Sequence, residues 1–83
     1  MSALVLYHRV ADPESARVRR RIVEVGLKPR VDFQNVDTEG RDAFASLGGG
    51  RVPALWDGRS LHRGEDSILL ALGAIIRAEE QQR

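Results

Sequence analysis

The chain has 83 residues and a formal net charge of +1, which fits one small domain, residues 1–83, with a core only just large enough to stand alone. It contains no cysteine, so disulfides, thiolate metal ligands and cysteine nucleophiles are excluded together. The near-neutral balance provides no broad field to draw the chain to nucleic acid or to an anionic membrane.

Met1-Ser2-Ala3 leads into Leu4-Val5-Leu6-Tyr7 without a basic lead or a long apolar run, so no secretory signal is expected. No segment reaches the ~18 apolar residues of a membrane span, and a cytoplasmic protein is the expectation. Leu4–Tyr7 is a short continuous apolar run that suits a buried central strand. Asp12-Pro13-Glu14-Ser15 reads as a helix start: Asp12 is a good N-cap, Pro13 suits the first helical position, and Glu14 favours the positive end of the dipole. Val18, Ile22 and Val25 fall on one stripe, which Ala16 and Val23 widen. Gly26-Leu27-Lys28-Pro29 then ends the helix.

Val31–Val36 mostly alternates and predicts a second, partly exposed strand. Thr38–Leu47 predicts a short helix with Ala43, Phe44 and Leu47 inward, stopped by Gly48-Gly49-Gly50. Pro53 cannot donate a ladder hydrogen bond and therefore belongs at the start of a strand, an edge or a bulge. Asp57-Gly58, which tolerates the positive φ of a type I′ turn, closes a hairpin back into Leu61. Sequence leaves the isomer of the Val52–Pro53 bond open; a cis bond would make the backbone of Val52 a docking edge. Gly64-Glu65-Asp66-Ser67 opens a last helix through Ile76, and Arg77 to Arg83 reads as a polar tail. The order is β-α-β-α-β-β-α. A crossover helix makes the first strand pair parallel and the hairpin is antiparallel, so the expected class is α/β: a thioredoxin-like fold, a mixed four-stranded sheet flanked by three helices.

With that order in place, the chain resembles a glutaredoxin and the N-terminal, glutathione-binding domain of glutathione transferases, over essentially its whole length. Leu6-Tyr7 ends the first strand as in those families. Asp12-Pro13-Glu14-Ser15 stands where glutaredoxins carry Cys-Pro-x-Cys. Pro13 to Arg19, followed by Glu24-Val25-Gly26-Leu27, is similar to the first helix of many transferases. Arg51-Val52-Pro53-Ala54-Leu55 with Asp57-Gly58 resembles the cis-proline loop and hairpin of both, and Gly64-Glu65-Asp66-Ser67 resembles the start of their last helix. The resemblance implies a glutathione site at one end of the sheet. There Val52, before the proline Pro53, would pair with the cysteinyl part, Asp66 and Ser67 would receive the γ-glutamyl carboxylate, and Arg9 and Arg51 would hold the glycyl carboxylate. Helix N-termini suit that task because their first amides lack internal partners.

The departures decide the chemistry. Thiol–disulfide exchange needs a thiolate, and Asp12 stands in place of the attacking cysteine, which also removes the ligand for an iron–sulfur cluster. A carboxylate there repels an arriving thiolate by ~1 kcal/mol at ~4 Å in water and more near a shielded surface, and an ordinary Asp is too weak a base for a thiol; N-cap is the reading of Asp12. Ser15 invites comparison with the serine of serine-type transferases, but inside the first helical turn its hydroxyl is placed to bond the backbone. The expected function is a redox-inactive glutaredoxin-like module with no obligatory cofactor, binding glutathione or a related thiol peptide through residues from the set Arg9, Asp12, Ser15, Arg51, Val52, Pro53, Asp66 and Ser67. The alternatives are a minimal serine-type transferase using Ser15, and a protein-interaction domain whose ligand site is vestigial.

The remaining features read plainly. Arg17, Arg19, Arg20 and Arg21 are a solvated face with no nucleic-acid partner expected, and His8 and His62 are strand residues with no metal-ligand spacing around them. Ile68 to Ile76 is apolar on all sides, so Leu70, Ala74 and Ile76 are expected to contribute to a homodimer or a partner surface.

Overall fold

The computed structural model describes residues 4–81. The reading of Met1-Ser2-Ala3 as free of a secretory signal, and the last two residues of the expected tail, fall outside the described residues. The chain forms β1 (Leu4–His8), α1 (Pro13–Glu24), β2 (Val31–Asn35), α2 (Arg41–Ser46), β3 (Ala54–Trp56), β4 (Leu61–Arg63) and α3 (Glu65–Gln81), with one 3₁₀ turn over Lys28–Arg30 before β2. The sheet runs β2-β1-β3-β4. β1 is parallel to β2, with Leu6 beside Phe33, and antiparallel to β3, with Leu6 beside Leu55; β4 pairs antiparallel with β3. This is the thioredoxin-like α/β arrangement. Among the described residues no helix is long and apolar enough to cross a membrane.

Alternation along β1 builds a core on each face. Leu4 and Leu6 join Val18 and Ile22 of α1, Leu55 of β3, and Ile68 and Leu72 of α3. Tyr7 turns to the other face with Val36, Ala54 and Phe44 of α2, its ring stacked on Phe44 at 5.2 Å. The helix ends are locally specified. The Asp12 side chain accepts from the Ser15 amide at 2.8 Å, with Pro13 at the first position. At the other end Gly26, at φ 78, sits in a Schellman closure in which Leu27 donates to the Ile22 carbonyl and Gly26 to that of Val23.

Several expectations are corrected. Ala16 and Val23 do not widen the buried stripe of α1; Val23 is 54% exposed, because it lies about 100° round the helix from Ile22 and beyond the sheet. α2 starts at Arg41 rather than Thr38, and Ala43 faces solvent. Residues 37–40 are instead turns in which the Thr38 and Gly40 amides both reach the Asn35 carbonyl. Gly40 there is pressed on β2, where a Cβ would come within 2.9 Å of Gln34 Cβ. The expected tail is helical through Gln81, since Arg77-Ala78-Glu79-Glu80-Gln81 holds only good helix formers, and Glu79 pairs with Arg30.

The hairpin also differs from a tight type I′ turn. Residues 57–60 connect the strands and only Gly58, at φ 96, is left-handed. Asp57 closes the turn with its side chain, accepting from the Arg59 and Ser60 amides at 2.8 and 2.7 Å. The same carboxylate meets His62 Nε2 at 2.8 Å, and that bond first, then the turn amides, pulls its pKa from 3.8 to about 2. A carboxylate with a depressed folded pKa adds stability that is complete above the unfolded value and lost as pH falls through the folded one. Stability measured by urea unfolding is therefore expected to fall between pH 3.8 and about 2, and Asp57→Asn to flatten that stretch. Leu55→Ala, at a fully buried side chain in the central layer, is expected to cost about 2–5 kcal/mol in the same assay.

Candidate functional site

One end of the sheet gathers segments far apart in the chain. β1 delivers the chain to the start of α1. β3 runs back against β1 with Ala54 beside Tyr7, which sets Pro53 at the same end. The Gly64 amide donates to the Pro53 carbonyl at 2.9 Å, so α3 begins there too. Between these segments lies a cleft of about 350 Å³, walled by Glu14, by Arg51 and Arg63, and by Gly64 to Ser67.

Glu14 is its hub. Its Oε2 accepts from the Glu65 backbone amide at 2.7 Å, and its Oε1 accepts from Arg51 Nη2 at 3.0 Å. The Glu65 amide first and Arg51 second hold the Glu14 carboxyl below the usual carboxylate range. The carboxylate thus sits on the positive end of α3, a helix other than its own. Glu65 in turn accepts from Arg17 Nε at 3.0 and 3.1 Å, a contact that raises the Arg17 pKa. The intrahelical ladder of α3 begins with Ile68 donating to the Gly64 carbonyl, so the amides of Asp66 and Ser67 precede it and lack partners within the helix. The side chains of both residues are exposed on the cleft.

Val52 lies at the edge of this region. The Val52–Pro53 bond is cis, Pro53 is buried, and the Val52 side chain packs on the Tyr7–Phe44 core. Among the described residues neither backbone group of Val52 has a hydrogen-bond partner. An extended backbone laid alongside would find one donor and one acceptor there.

Of the residues singled out from sequence, the fold brings Arg51, Asp66 and Ser67 to the cleft wall and sets Val52 and Pro53 behind Arg51. Arg9, Asp12 and Ser15 do not line it. Arg9 reaches across to Asp37, its Nε at 3.1 and 3.2 Å from the two carboxylate oxygens. Ser15 is fully buried, and its hydroxyl oxygen accepts from the Arg9 amide at 3.3 Å. The Ser15 hydroxyl, then its amide, holds the Asp12 carboxyl low, which is the chemistry of a helix cap. Glu14, Glu65 and Arg63 were missed. Glu14 carried a signal only for its own helix, and its partner Glu65 stands far along the sequence. Beside the site His8 is buried, with Arg19 Nη1 at 3.0 Å from its Nδ1; burial first, then Arg19, lowers its pKa. Among the described residues no group of three or more His, Asp or Glu is placed to hold a metal ion.

No protein-family model matches the chain, and no curated protein matches it. The side chains themselves set the chemistry open to the site: two guanidiniums, three carboxylates and free helix amides suit a zwitterion or a peptide terminus, with no thiol for sulfur exchange. The capping role assigned to Asp12 is checked by substitution. Asp12→Ala is expected to lower stability by ~0.5–2 kcal/mol in urea unfolding, and Asp12→Asn by much less, since Asn caps as well as Asp.

Proposed function

We propose that this chain is a redox-inactive, glutaredoxin-like binding module that takes glutathione or a related thiol peptide at the end of its sheet. The observation that carries this reading is the pair of Asp66 and Ser67 amides left without helix partners on the cleft wall, where the resemblance sets a γ-glutamyl carboxylate; the Glu14 carboxylate on the adjacent Glu65 amide is an example of a carboxylate held at this helix end. In this reading the ligand's γ-glutamyl carboxylate takes the neighbouring amides of Asp66 and Ser67, its ammonium lies toward Asp66, and its cysteinyl backbone pairs with Val52. Arg51 stands between them. Glu14 then acts as a like charge beside the incoming carboxylate. The serine-transferase alternative is not favoured, because the Ser15 hydroxyl is buried and engaged.

Titration of the labelled protein with glutathione, followed by amide chemical shifts, tests the reading. Saturable shifts are expected at Val52, Asp66 and Ser67, and no turnover of a model electrophile. Glu14→Gln is expected to tighten binding severalfold, because it removes a like charge beside the incoming carboxylate. Absence of shifts at those three residues at millimolar glutathione would leave the fold as an interaction domain without this ligand.

A further inference from the structure

α3 carries a face that the rest of the fold leaves uncovered. Leu70 is 75% exposed, and Ala74, one turn further on, also faces solvent. Asp66, Leu70, Gly73 and Arg77 recur at alternating four- and three-residue spacings, so they share one stripe along the helix. Among the described residues neither Asp66 nor Arg77 has an ion-pair partner. Beside the stripe, between α1 and α3, opens a hollow of about 230 Å³ lined by Val25, Leu69, Leu72, Gly73 and Ile76, with Arg21. Its lining is mainly aliphatic; Gly73 adds no side chain of its own, and the Arg77 guanidinium lies over it, 3.5 Å from where a Cβ would stand.

We propose that this face binds a second copy of the chain, α3 against α3, antiparallel about a two-fold axis passing between residues 71 and 72. Two matches fall in this single register. Position 70 meets position 73, so Leu70 of each copy stands over Gly73 of the other and enters the hollow beside it. Position 66 meets position 77, so Asp66 faces the second copy's Arg77 at both ends of the contact, and Arg77 swings outward from Gly73 to meet it when Leu70 of the second copy seats there. A parallel pairing would set Asp66 against Asp66 and Arg77 against Arg77. The interface is isologous, as closed dimers require, and knob and hole are supplied by the same patch. A helix pair buries less than the ~1,200–2,000 Å² of standard stable interfaces, so a weak, concentration-dependent association is expected. The interface shares the Asp66 side chain with the ligand site proposed above, so its test is read in the absence of glutathione.

Sedimentation equilibrium of the full chain from low to high micromolar concentration tests this. A reversible monomer–dimer equilibrium is expected. Leu70→Glu is expected to weaken it at least tenfold while leaving the far-UV spectrum intact. Arg77→Glu alone sets like charges together at both ends and weakens it severalfold; adding Asp66→Lys restores it, because both pairs are then reversed. Should Leu70→Glu lose its helical signal, the charge swap at the two exposed positions decides. A chain that stays monomeric at high micromolar concentration, a dimer indifferent to Leu70→Glu, or a double charge swap that restores nothing would each overturn the proposal.

Discussion

In β1, Leu4 and Leu6 face the layer made by α1 and α3, while Tyr7 faces the layer made with α2. A shift of one residue against either neighbour would exchange those faces and drive apolar side chains to the wrong side. The registers Leu6 to Phe33 and Leu6 to Leu55 are therefore held from both directions. With them held, the start of α1, the residues before β3 and the first turn of α3 have to meet at one end of the sheet. The cleft follows from this central strand rather than from any residue within the cleft.

What fills that end is charge rather than sulfur. Glu14 joins the first helix to the last through the Glu65 amide and joins both to the loop before β3 through Arg51, and Arg17 closes a second link to Glu65. Exposed pairs of this kind contribute little each, about 0–1 kcal/mol. Their effect is geometric: they fix the opening of the cleft and the charges presented there. Asp12 is spent on its own helix, hydrogen-bonded to Ser15, and does not project into the cleft.

The parts of the fold legible in the sequence are those written locally. The apolar run of β1, the Asp12-Pro13 start and Gly26 stop of α1, and the proline at the head of β3 each rest on neighbours a few residues away. The thioredoxin-like order follows from them. Where reading failed, a distant contact or a turn had taken over. Thr38 looks like the start of a helix, yet its amide is held by the Asn35 carbonyl, and Gly40 packs on β2 where a side chain would collide. Val23 looks like a core residue until the width of the sheet is known. Arg51, Asp66 and Ser67 were visible through their resemblance to known motifs, whereas the Glu14–Glu65 contact links residues with no local signature. Arg9 and Ser15 were placed near the right end of the sheet, but Asp37 engages one and burial removes the other.

The two outer strands have a consequence for behaviour at high concentration. β2 carries Asp32 and Gln34 on its exposed side, hydrogen-bonded to each other at 2.8 Å, and β4 is only three residues long and ends in His62 and Arg63. Short or charge-bearing borders of this kind resist the addition of further strands. Fibrillar, sheet-extending aggregation is thereby disfavoured at both margins, where an added strand would meet charge on one side and too short a ladder on the other.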